Sequence, residues 1–112
     1  PIGAHQGIAH PLAKAYMGVQ QARLMTARAA QLFDLGSAEA GEAANIAKFA
    51  AADSSLEALD QAIQVHGGNG MALEYGLADL WFVTRLHKTA PVSREMVLNF
   101  VAQHSLGLPK SY

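Results

Sequence analysis

The chain has 112 residues, of which 51% are hydrophobic and 15% charged, with a formal net charge of −1. That length suits one domain, and the apolar share is too high for a disordered chain. With no run of like charges, the sequence offers no electrostatic footprint for nucleic acid or an anionic membrane. It holds no cysteine, which excludes disulfides, thiolate catalysis and cysteine-ligated metals and fits a reducing compartment. No apolar stretch reaches the roughly 18 to 20 residues needed to span a bilayer. The opening Pro1-Ile2-Gly3-Ala4-His5 has neither an initiator methionine nor the form of a signal peptide. Either processing or excision from a longer protein gives such a start, and excision is the one expected.

Apolar residues recur in steps of three and four from Ile8 through Leu12, Ala15, Val19, Ala22, Thr26 and Ala29 to Phe33, the mark of one helix face. Pro11 suits a first turn, so the helix is expected to begin about there. Asp34-Leu35-Gly36-Ser37 should end it, with glycine as the left-handed cap. A second long helix is expected from about Ala38 to His66, with Ile46, Phe49, Leu56, Leu59 and Ile63 on one face of an alanine-rich body. Asp53-Ser54-Ser55 interrupts the apolar pattern and reads as a solvent-facing turn of that helix. Gly67-Gly68-Asn69-Gly70 must stop it, because three glycines in four positions favour positive φ. A third helix over Leu77 to Lys88 and a fourth over Arg94 to His104 follow, separated by Pro91. Ser93 is placed to cap the fourth, and Glu95 suits its positive end. The fold expected is all-α, an antiparallel up-and-down bundle with two long helices followed by two shorter ones.

Catalytic and metal-binding signatures are absent. No glutamate is followed three residues later by histidine, there is no His-Glu-x-x-His, and no phosphate loop or nucleophile elbow appears. The histidines His5, His10, His66, His87 and His104 lack carboxylate partners at fixed spacing and read as surface or packing residues. No metal site is expected.

One stretch goes further. Gln64-Val65-His66-Gly67-Gly68-Asn69-Gly70-Met71-Ala72-Leu73-Glu74-Tyr75 resembles the acyl-CoA dehydrogenase pattern Gln-x-x-Gly-Gly-x-Gly, two or three variable residues, Glu-Tyr. Pro1-Ile2-Gly3-Ala4-His5-Gln6 is similar to the segment directly after that family's Arg-x-x-Phe-Gly motif, and Ile46-Ala47-Lys48 to the Ala-Lys step of its second long helix. The resemblance covers nearly the whole chain. It implies a single segment, residues 1–112, of the carboxy-terminal four-helix-bundle domain of a larger flavoenzyme, with FAD as cofactor and acyl-CoA as substrate. Gln6 is then expected near the adenosine end of the flavin. Gln64, Gly67 and Gly68 are expected to approach its adenine-pyrophosphate region from a neighbouring subunit. Positive φ is expected at Gly68 as well, so that valine there would be doubly unfavourable. A homo-oligomer, dimer or tetramer, or a heteromer is implied, located in the cytoplasm or, in a eukaryote, the mitochondrial matrix.

The sequence also departs from the family. Where many members carry Glu-Gly-Thr before the last helix, with the glutamate as the base, this chain has Pro91-Val92-Ser93. Pro91 has no basic group, and no catalytic residue is expected within the chain. Ser93 keeps the threonine's hydroxyl, so both helix capping and a flavin contact stay open. The usual Arg-Asp pair is replaced by Phe82-Val83, although Arg85 matches a later basic position. Three explanations stay open: an earlier helix of the parent supplies the base, the parent is an inactive-type subunit of a heteromer, or the scaffold serves related chemistry. A non-catalytic helical assembly module is therefore the alternative expectation.

Overall fold

The computed structural model describes residues 1–111, which contain four α-helices and no strand. Helix α1 spans Gln6–Asp34 and α2 spans Ala40–His66; α3 covers Leu77–Leu86 and α4 covers Arg94–His104. Short 3₁₀ segments, Gly67–Met71 and Leu73–Tyr75, link α2 to α3. The all-α expectation holds, with two long helices ahead of two short ones.

Helix α1 starts five residues earlier than Pro11 suggested. The carbonyl of His5 accepts from the N–H groups of Ile8 and Ala9, both at 2.9 Å, so the first turn forms upstream of the proline. Pro11 then lies inside the helix and forfeits one bond, to the Gly7 carbonyl, where the exposed backbone is open to water. The other end follows expectation. Gly36 takes φ 65° and its N–H donates to Phe33, while Ser37 N–H donates to Leu32, each at 2.9 Å. Both bonds occupy carbonyls that the last turn would otherwise leave bare.

The turn at residues 35–39 sends α2 back along α1. Lys14 pairs with Glu57 at 2.8 Å, a Cβ on Gly18 would touch Ser54 at 3.5 Å, and Ala29 clusters with Ala43 and Ala47. Rising numbers on one helix thus meet falling numbers on the other, which makes the pair antiparallel. The buried residues of α1 are Ala15, Ala22 and Ala29, seven apart, as the apolar spacing requires. Phe33, at the end of that face, is 77% exposed.

Helix α2 is the shared member of the fold. Helices α1, α3 and α4 each pack on it, and none of those three packs on another. The arrangement is correspondingly open. Among the described residues, the buried apolar side chains are six alanines and Val97. The radius of gyration is 16.9 Å, against about 13 Å for a compact domain of this length. Accessible surface is 7689 Å², where a folded monomer of this mass would show about 5,900 Å². The four helices do not close a core by themselves.

Candidate functional site

The glycine turn ends α2 by reversing the chain in a single residue. Gly67 has φ 59° and ψ −139°, a conformation open to glycine alone, and its N–H donates to the Gln64 carbonyl. The chain then folds under the end of α2. Gly70 is buried against Ile63, where a Cβ would stand 2.4 Å from the carbonyl oxygen. His66 hydrogen-bonds the Ala62 carbonyl at 2.7 Å and meets Tyr75 edge-on at 5.8 Å. Gly68 differs from the expectation of a positive φ: Gly67 alone supplies it in this turn, and right-handed 3₁₀ backbone resumes at once. A Cβ on Gly68 would meet nothing within 4 Å.

Gln64, Gly67 and Gly68 therefore share one exposed turn. Gln6, the first residue of α1 and also exposed, lies at the same end of the antiparallel pair. Ser93 does not join them. It precedes α4, where its Oγ accepts from Met96 N–H at 3.3 Å, so the capping role is realised. Its neighbour Val92 accepts from Lys48 Nζ, and Lys48 is roughly 24 Å along α2 from Gln64 at 1.5 Å per residue. The candidate residues fall into two groups at separate levels of α2.

Around Ser93 and Pro91 the structure shows a cluster that the sequence reading missed. Asp53, expected to face solvent, pairs with Lys88 at 2.8 Å and receives the Arg94 guanidinium on both carboxylate oxygens. Arg94 also lies over the Phe49 ring, 4.3 Å from its centroid, and its backbone N–H closes the loop onto the Lys88 carbonyl at 2.9 Å. Helix α3 stops at Leu86 rather than Lys88, and Lys88 turns to the carboxylate. Burial pushes the Asp53 carboxyl up, but the hydrogen bonds and charges of Lys88 and Arg94 outweigh it and hold the group below its ordinary value of 3.8. Ser54 beside it is buried against α1. The available signal was a lone acid in an alanine-rich stretch, with two cations flanking Pro91.

Beside this loop is a cleft of about 360 Å³ lined by Lys48, Ala51, Thr84, His87 and Pro91. Through Ala51 it continues into two wider hollows between α1 and α2, of about 810 and 490 Å³. Together they form a trough along α2 floored by alanine and serine. No cluster of metal-ligating side chains occurs among the described residues, and no helix is long and apolar enough to cross a membrane.

Comparison with known proteins assigns this geometry to a lineage. A family model described as "Acyl-CoA dehydrogenase, C-terminal domain" matches residues 1–106. Acyl-CoA dehydrogenase FadE12 of Mycobacterium tuberculosis is 60% identical across all of this chain, which corresponds to 29% of that protein. Acyl-CoA dehydrogenase family member 11 of Rattus norvegicus is 36% identical over 91% of the chain and 13% of its own length. The human protein of that name is 36% identical over 92% of the chain. The chain thus spans less than a third of the length of these relatives.

Proposed function

The chain belongs to the acyl-CoA dehydrogenase family through its C-terminal domain, and from that premise we propose that it forms one wall of a flavin-dependent acyl-CoA dehydrogenase. The parent would remove two hydrogens across the α–β bond of an acyl-CoA. One observation carries the cofactor assignment. Gly68 has neither a positive φ nor a neighbour that a side chain would strike, so the chain's own fold does not require glycine there. A ligand approaching the exposed turn would. Gly67 and Gly68 would admit the pyrophosphate to the backbone, and the exposed amides of Gln64 and Gln6 supply donors and acceptors beside it. Bound there, FAD supplies the hydride acceptor.

Ser93 belongs to the second group and would serve another part of the flavin, its hydroxyl hydrogen already spare because its oxygen caps α4. Pro91 leaves proton removal to a carboxylate elsewhere in the parent. The surface excess and the trough between α1 and α3 support the remaining roles: seating an upstream segment of the parent and forming a subunit interface. A cytoplasmic location, or the mitochondrial matrix in a eukaryote, goes with this reading.

The experiment is Gly68→Val in the full-length parent. Flavin content per subunit should fall while helix content, and the melting of the flavin-free protein, stay near wild type, because a Cβ at this position meets no neighbour and comparing flavin-free forms removes the cofactor's own stabilisation. Unchanged flavin occupancy would refute the assignment. A second reading, a non-catalytic assembly module or inactive-type subunit, is favoured by Pro91 alone. The parent's upstream sequence separates the two: Arg-x-x-Phe-Gly and a glutamate on the preceding helix mark an active enzyme.

A further inference from the structure

We propose that Asp53 is a positioning residue for acyl-CoA binding, holding the loop from Lys88 to Arg94 as one wall of the cleft beside Pro91. This rests on the reading of the parent as an acyl-CoA dehydrogenase. The geometry resembles a drawstring. Lys88 and Arg94 are the two ends of the loop, and both meet the same carboxylate. The Arg94 N–H closes the loop on the Lys88 carbonyl, and Lys48 holds its crest through the Val92 carbonyl. The loop joins α3 to α4, which do not pack on one another or on α1. Its position is therefore set by its attachments to α2, and two of its side-chain attachments converge on Asp53.

Removing the carboxylate charge leaves two cations facing each other without their counter-ion, and the loop should swing from the cleft. Pro91 carries no base, so that movement loosens ligand binding without slowing proton removal. The consequence is a KM effect. Loss of charge-assisted hydrogen bonds of this kind corresponds to about tenfold or more in an equilibrium.

The test uses the full-length flavoprotein with Asp53→Asn and Asp53→Glu. Asp53→Asn should raise KM for acyl-CoA about tenfold with kcat within about twofold, and should accelerate hydrogen exchange in the peptide covering residues 88–94. Exchange in α1 should not change. Asp53→Glu, which keeps the charge, should restore most of both. Unchanged exchange in the loop overturns the proposal, and so does a fall in kcat at constant KM, the signature of lost folded enzyme. If the wild-type parent neither holds flavin nor oxidises acyl-CoA, the functional reading fails, and with it the role of Asp53 in acyl-CoA binding; the exchange measurement then still reports whether the clamp exists.

Discussion

Replacing Gly70 by alanine would put a methyl group 2.4 Å from the Ile63 carbonyl oxygen and 3.0 Å from the carbonyl carbon and Cα of the same residue. That oxygen contact is roughly 1 Å shorter than ordinary carbon–oxygen approach. All three atoms are helix backbone, so no rotamer change relieves the clash and the 3₁₀ turn must lift from α2. Overpacking costs about 1–3 kcal/mol, and a collision with fixed backbone belongs at the upper end, about 3 kcal/mol. Two neighbours act as internal standards. Gly67→Ala suffers from its φ of 59° rather than from contacts, at about 1–3 kcal/mol. Gly68→Ala meets neither obstacle and should be neutral or gain up to about 1 kcal/mol through the unfolded chain. Urea unfolding followed by circular dichroism, at one matched protein concentration, ranks the three. If Gly70→Ala proved no more destabilising than Gly68→Ala, the close approach to Ile63 would be wrong.

The isolated chain should self-associate, because its surface excess of roughly 1,800 Å² is larger than the roughly 800 Å² each partner buries in a standard interface; a monomer throughout a sedimentation dilution series up to tens of micromolar refutes this. Titrated with FAD, the same chain should show no binding at about 1 μM, since the proposed site draws on the rest of the parent; tight binding by fluorescence would contradict it. Acid should weaken the Asp53 cluster in a defined direction. Its carboxyl titrates below 3.8 in the fold, so its contribution is intact above the unfolded value and lost as pH falls through the folded one. Wild type and Asp53→Asn should therefore converge in stability below about pH 4, and a constant difference across that range would disprove the shift.

The helices were legible because alanine-rich periodicity and glycine stops act locally. Leu77 and Arg94 begin the short helices where Gly76 and Ser93 allow, and Gly36 caps α1 as its sequence context demanded. Pro11 misled, because its local preference for a first turn was outweighed by a helix already started at Gln6. Asp53 misled for the opposite reason. Its partners are 35 and 41 residues away, and no local pattern announces a carboxylate that two distant cations will enclose. The glycine motif announced a turn. Which glycine has the left-handed backbone, which is walled in, and which is open depends on how Gly67 to Met71 folds back on Ile63.

Because α1, α3 and α4 each pack on α2 and not on one another, the fold behaves mechanically like spokes on a single axle. A displacement of α1 would reach the Pro91 loop through α2, by moving it along its length or rolling it about its axis. The same axle carries the glycine turn at its end and Asp53 near its middle. A roll of α2 would therefore swing both together, so that the two separated groups of residues report a common displacement.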